Sequence, residues 1–519
     1  MANIKVYDTT LRDGMQAEGV SFSLADKLLI AKRLDEFGMD YIEGGYPMSN
    51  PKEEEFFKEL CGSKLNNSKV VAFGSTRRAR NKVADDKNLQ ALLACGAPAV
   101  TLVGKSWDMH VTDVLRCSLD KNLVICEESV KYIKDKGREV IFDAEHFFDG
   151  YKENPEYAMK VVTAAAHAGA DCVVLCETNG GCLPDEVYDI TKTVCGELSG
   201  IMIGIHAHND SDCAVANTLA AVRAGATHVQ GTVNGLGERT GNANLCTIIP
   251  NLTAKMGFEL ACKNRLKSLM KLSRFIFEIA NLSPVTNMPY VGDSAFAHKG
   301  GLHIDALRKN KRTYEHVSPE LVGNERRFLI SELSGSSNVM AKLENKNITD
   351  RRLAKKILKM LQDLENEGYQ FEAAEASFDI LIGKAMGSFE PSFELEKYHV
   401  DVERDTAGRI VTEASVKLKV DGITEHVVSE GDGPVNALDS ALRKSLEGFY
   451  PRINEMNLID YKVRVVNARA GTAAKVRVVI ESRDQDSIWG TVGVSENLIE
   501  ASWLALVDSV EYKLLKDAE

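Results

Sequence analysis

The amino-acid sequence predicts an α/β protein: a (β/α)8 barrel over residues 1–265, helical connector subdomains over 266–385, and a C-terminal α+β domain over 386–519. Three observations predict it. Short β-branched or apolar runs recur about every thirty residues through the first half, with amphipathic segments between them. That rhythm stops after residue 262. Near the end, two stretches line up with each other, Gly431 falling opposite Gly493 at a spacing of 62 residues, which marks an internal repeat.

The strand-like runs are IKVYDTT (4–10), YIEGG (41–45), KVVAFG (69–74), AVTLVGK (99–105), EVIFDAE (139–145), CVVLCET (172–178), MIGIHAH (202–208) and HVQGTVNG (228–235). The segment after the first run has Ser23 as an N-cap, apolar residues at Leu24, Leu28, Ile30, Leu34 and Phe37, and a stop at Gly38. NPEYAMKVVTAAAHAGA and DCAVANTLAAVRAGA repeat the design, each ending in Ala-Gly-Ala before the next strand. Alternating β and α elements imply a parallel sheet buried on both faces, and eight such pairs fit a closed barrel. The alternative, an open doubly wound sheet, would place a G-x-G-x-x-G after its first strand, where this chain has DTTLRDGMQ.

Past the barrel, residues 263–284 and 348–368 read as amphipathic helices. In the repeat, ASVKLKVDGITEHVVSEGDGPVNALDSALRKSL and AKVRVVIESRDQDSIWGTVGVSENLIEASWLALVDSV are each alternating strands followed by a helix that begins after a glycine turn.

Composition narrows the function classes. With 519 residues, 44% hydrophobic and 27% charged, the chain reads as an ordinary globular protein of several domains. A net charge of −12 argues against nucleic-acid and anionic-membrane partners, which need a basic surface. MANIKVYDTT has no signal-peptide pattern and no apolar run is long enough to cross a bilayer, so a cytoplasmic location is expected. All eleven cysteines lie between Cys61 and Cys262, several in apolar runs, which suits reduced core thiols rather than a disulfide framework or a zinc cluster.

In a (β/α)8 barrel the strand ends converge on one mouth, and the unusual polar residues sit there: Arg12, Asp13, Glu43, Glu145, Thr178, His206, His208 and Asn234. His206 and His208, two apart on one strand, point to the same side of the pleat and can share a cation with Asp13. Mixed nitrogen and oxygen ligands suit Mn, Zn or Mg. NGLGERTGNAN (234–244) is either a nest of N–H groups for phosphate or a tight loop, and Asn242 in it is placed to offer its side-chain carbonyl to the metal.

DTTLRDGMQ, HAHND and GLGERTGN at these spacings resemble the 2-isopropylmalate, homocitrate and citramalate synthases, metal-dependent TIM-barrel enzymes that condense an acyl-CoA with a 2-oxo acid. The resemblance covers nearly the whole chain. It implies Asp13, His206, His208 and Asn242 as metal ligands, Arg12 on the keto oxygen and Thr178 on the carboxylate of the acceptor. Related lyases carry a reactive cysteine in the loop after strand eight, where this chain has Glu238-Arg239, with Cys246 beyond.

LDEFGMDYIEGGYPMSNPKEEEFF and the C-terminal segment look most like members whose acceptor is pyruvate, with acetyl-CoA as co-substrate, feeding a threonine-independent route to isoleucine. Phe73 and Leu102 are the expected apolar wall for the pyruvate methyl. Two groups compete as the enolising base: Glu145 at the end of strand five, and His303, which matches a family histidine carried into the site from a subdomain, often the partner chain's. Tyr314 matches a family tyrosine that polarises the ketone or thioester. Strand five departs from the family pattern by reading Asp143-Ala144-Glu145-His146, which leaves the base open. The C-terminal repeat resembles the family's regulatory domain, implying a homodimer and an isoleucine effector. A bulkier acceptor, giving isopropylmalate or homocitrate, and a catalytically silent amino-acid sensor are the rival readings.

Overall fold

The computed structural model describes residues 3–62, 65–329, 339–340, 343, 350–466 and 474–518. It divides into two units, residues 1–296 with 316–326, and residues 297–315 with 327–519.

The first unit holds a closed eight-stranded parallel barrel: β1 (Lys5–Asp8), β2 (Tyr41–Gly45), β3 (Lys69–Ser75), β4 (Ala99–Lys105), β5 (Glu139–Glu145), β6 (Cys172–Glu177), β7 (Met202–Ala207) and β8 (His228–Gly231). Closure is made by β1 against β8, Tyr7 opposite Gln230 and Asp8 opposite Gly231. Every strand matches a predicted run, β3 reaching one residue further, to Ser75. The first and last are shorter than expected, because Asp8 and Thr232 turn into local bonds: Asp8 accepts from the Thr10 N–H and hydroxyl, and Thr232 donates to Leu236 O.

Strand alternation separates two cores. Tyr7, Tyr41, Val71, Ala99, Ile141, Cys172, Val174 and Cys176 pack together from six strands inside the barrel. The opposite faces join the helical layer in one large core. The first helix, Leu24–Phe37, opens on a Ser23–Asp26 capping box and ends at Gly38, whose φ of 93° suits glycine. The predicted helix over 263–284 is α-helical only over Leu269–Ile279; its first turn is a 3-10 segment, Lys263–Ser268. No described helix is long and apolar enough to cross a membrane.

The second unit contains the helices Gly301–Lys309, Arg351–Glu367 and Glu375–Met386, then two three-stranded antiparallel sheets. Residues 348 and 349 of the predicted helix lie outside the described residues; the rest is found, capped by Asp350 and closed by Gly368. Each repeat copy is three strands and a helix: Glu394–Arg404, Ile410–Val420, Ile423–Gly431 and Pro434–Leu446, then Asn457–Val465, Val476–Arg483, Ile488–Ser495 and Leu498–Ala518. The aligned glycines do the same job in both. A Cβ on Gly431 would lie 2.4 Å from Ala437 N, and one on Gly493 2.1 Å from Ala501 O, so each lets the helix backbone close on the last strand.

Candidate active site

At the C-terminal ends of the barrel strands lies a cavity of 290 Å³ lined by Arg12, Asp13, Phe73, Val103, Asp143, Glu145, Thr178, His206 and His208, among others. Seven distant stretches of sequence meet there because the sheet closes. Arg12 is the organising cation. Its Nε donates to Glu43 Oε2 at 2.5 Å, its Nη1 donates to Asp13, and its guanidinium carbon lies 4.0 Å from the centroid of the Phe73 ring. Phe73 therefore does wall the cavity, and part of its face is occupied by Arg12.

The floor is unusually acidic for a buried space. Burial works against the charge on Asp13, but the neighbouring Arg12 guanidinium outweighs it and holds this carboxyl below its usual range. Burial pushes Glu43 upward, against the pull of Arg12, and lifts Asp143 far above the ordinary carboxylate range, with Glu43 adding to the rise. Glu43 is tied down further by Tyr7, whose hydroxyl donates to Glu43 Oε1 at 2.6 Å.

A relay sets the state of His206. Gln230 Nε2 donates to Asp143 Oδ1 at 3.1 Å, which turns the amide oxygen toward His206 Nδ1 at 2.8 Å. Nδ1 must then carry a ring proton, and Nε2 lies 3.6 Å from Asp13 Oδ2. His208 lies beside it, ring centroids 5.2 Å apart, and burial followed by the neighbouring imidazole lowers it to about 3, so it is neutral.

Among the described residues no three His, Cys, Asp or Glu side chains already stand in a closed ligand cluster. The fit of a divalent ion is judged instead from unpartnered atoms. Asp13 Oδ2, His208 Nδ1 and both side-chain atoms of Asn242 are buried without a hydrogen-bond partner, and Asn242 is held opposite His208 by a backbone bridge. Four unsatisfied donors and acceptors at one barrel mouth are costly unless a ligand satisfies them. The set is also the right chemistry, neutral imidazole, carboxylate and amide oxygen, so the residues fit the ion.

The two ends of the glycine loop are tied down: the N–H groups of Gly235, Gly241, Asn242 and Ala243 donate to the Thr232, Glu238, Gly235 and Ala207 carbonyls. Arg239 grips Asp210 with two bonds of 2.7 and 2.8 Å. Cys246 is fully buried, its thiol pushed up to about 12, which is the state of a core thiol and not of a loop nucleophile.

Other expected residues are placed as follows. Glu145 lines the cavity and is ion-paired to Lys105. Thr178 Oγ1 accepts from the His146 N–H at 2.9 Å, which leaves its own proton free to donate into the cavity. His146 itself turns away, to Asp149 and to the His110 ring 4.3 Å off. Leu102 is corrected: it is fully buried in the core shared with the helices, because Thr101 faces the barrel interior and residues alternate along β4. Val103 takes the lining position. Asn234 is likewise structural, bonded through both side-chain atoms to Ser273. His303 and Tyr314 lie in the second unit, their rings stacked 4.0 Å apart.

Sequence reasoning left Gln230, Tyr7 and Val103 without a role. The available signal for Gln230 was a polar residue inside an otherwise apolar barrel strand.

Residues 3–276 match the family model HMGL-like, 290–368 match the homocitrate synthase post-HMGL domain-like model, and 372–514 match the LeuA allosteric (dimerisation) domain. The catalytic barrel is thus of the HMGL-like class, joined to a LeuA-type allosteric domain. The chain is 55% identical to (R)-citramalate synthase of Aquifex aeolicus, covering 99% of this chain and 98% of that one. It is 53% identical to (R)-citramalate synthase of Geobacter sulfurreducens over 100% and 99%. Identity to 2-isopropylmalate synthase of Methanocaldococcus jannaschii is 30%, over 99% and 95%. The chain belongs to the (R)-citramalate synthase family.

Proposed function

We propose that this chain condenses acetyl-CoA with pyruvate and hydrolyses the resulting CoA ester, giving (R)-citramalate and free CoA, an acyl transfer in which the acyl group becomes an alkyl group. The reading is carried by one observation: a guanidinium set beside unpartnered carboxylate, imidazole and amide atoms at a barrel mouth, in a chain 55% identical end to end to a citramalate synthase.

Asp13, His206, His208 and Asn242 are the residues that would hold a divalent ion, Mn, Zn or Mg, which supplies Lewis-acid charge where the keto oxygen turns into an alkoxide. Arg12 supports that oxygen with a planar donor fork. Thr178 donates a hydrogen bond from its hydroxyl to the acceptor carboxylate. Glu145 takes the proton from the acetyl methyl, with Lys105 holding the carboxylate in place. We assign His303 and Tyr314 to the same reaction on the family match alone, His303 remaining the second candidate base. Phe73 and Val103 give the acceptor methyl an apolar wall. A methylene is discriminated by only about 1–3 kcal/mol in such a pocket, so slow turnover of 2-oxobutyrate is expected.

We further infer a homodimer built through the LeuA-type domain, with isoleucine as its effector, and a cytoplasmic enzyme, supported by eleven unpaired cysteines. Divisions at residues 265 and 385 remain our working domain boundaries.

Free-CoA release from acetyl-CoA tests the reading, with pyruvate, 2-oxoisovalerate and 2-oxoglutarate offered in turn and metal present. Pyruvate should be the fastest acceptor, and isoleucine added to the intact enzyme should slow it. Faster turnover of a bulkier acid would reassign the substrate; no release with any acceptor would favour a silent sensor.

A further inference from the structure

The loop after β3 carries STRRARNK, residues 75–82, four cations within six residues of a chain whose net charge is −12. One of them is structural. Arg77 is buried; its side chain pairs with Glu128 and donates to the carbonyls of Arg78 and Asn81, while its own N–H donates to Ser129 Oγ. Asp86 fastens the other side, accepting from the Arg78 N–H and from Asn81 Nδ2. These bonds hold the backbone of the loop and engage the carboxylates of Glu128 and Asp86. Arg78, Arg80 and Lys82 are left exposed, and among the described residues none of the three is in an ion pair.

The loop also sits at the catalytic rim. Phe73 lines the cavity, and Thr76 N donates to the carbonyl of Val103, another lining residue, at 3.1 Å. Three unpaired cations on a preorganised loop favour a polyanion, since little ordering cost remains when it arrives. The reaction brings one such group to this rim: a coenzyme A thioester, whose nucleotide end carries a diphosphate and a ribose phosphate.

We propose that Arg78, Arg80 and Lys82 form the binding site for the nucleotide phosphates of the acyl-CoA substrate. This rests on the condensation reading above. The pantetheine arm would then run from the loop over Phe73 to the cavity, and the net negative chain would draw its anionic substrate to one local positive patch.

The test compares two donors. Acetyl-CoA has the nucleotide; S-acetylpantetheine has the same thioester without it. In an Arg78→Ala, Arg80→Ala, Lys82→Ala variant, the ratio of kcat/KM for acetyl-CoA to that for S-acetylpantetheine should fall at least about tenfold, and Arg80→Lys alone should fall less. An unchanged ratio, whatever the absolute rates, overturns the assignment. If the wild-type enzyme condenses neither donor with pyruvate, the reaction reading fails separately, and adenosine 3′,5′-diphosphate titrated by calorimetry decides the loop. Binding by the wild type that the variant loses sustains the site; no binding by the wild type removes it.

Discussion

Arg12 and Asp13 are sequence neighbours with opposed duties, and the distinction gives a direct test. In Arg12→Lys a single ammonium cannot bond Glu43 and Asp13 while presenting a fork to an oxygen. Divalent-ion affinity by calorimetry should stay within about threefold, while kcat drops about 100-fold or more. Gln230→Leu has the reverse profile. It frees His206 to take either tautomer and strands Asp143, so metal affinity should fall about 10- to 100-fold, with a stability loss of about 1–3 kcal/mol. Arg12, Asp13 and the two histidines were legible in the sequence because their chemistry is rare at strand ends. Gln230 was not, since its value depends on facing His206 across the β7–β8 pair, a register that only strand pairing creates.

At the scale of an element, the loop after β8 shows why its glycines are needed. A Cβ on Gly241 would lie 2.1 Å from Gly235 O, at a φ of 100°, and one on Gly237 would lie 2.2 Å from Asn242 Nδ2. Gly241→Ala should therefore cost about 2 kcal/mol or more in urea unfolding, and weaken metal binding by displacing Asn242. The strand runs and the first helix were readable from period and caps, Ser23 before it and Gly38 after it, whereas the Asp26 half of the capping box and the Asp350 cap of a later helix came from the structure. Leu102 was misread because choosing which alternate residues of a doubly buried strand face inward needs the partner strands; both faces are apolar, so the period is silent. The repeat was legible in its two glycines, whose shared role is steric.

Across the whole molecule, buried carboxyls give stability a pH dependence. Asp8 is fully buried and raised to about 7, burial outweighing the bonds from Thr10; Glu177 is raised to about 7 by burial despite two backbone N–H bonds. Between the ordinary carboxylate range and pH 7 these groups are charged in the unfolded chain and protonated in the folded one. Folding therefore takes up protons, and stability falls as pH rises through that window, levelling above 7. For Asp8 the loss is up to about 4 kcal/mol. In Asp8→Asn, the slope of unfolding free energy between pH 5 and 7 should flatten; an unchanged slope would show that Asp8 ionises freely in the folded state.

The sequence by itself determined the architecture, the metal-type residue set and the repeat, because each leaves a local mark: a hydrophobic period, a rare side chain at a strand end, or a glycine turn. Only the tertiary structure decided which donor atoms lack partners, which histidine nitrogen bears its proton, which of two adjacent β4 residues lines the cavity, and which of four neighbouring cations is already spent. All of these depend on groups separated in the chain coming within hydrogen-bond reach, as Gln230 does with His206 across β7–β8 and Arg77 with Ser129, and only the packing of strands and helices brings that about.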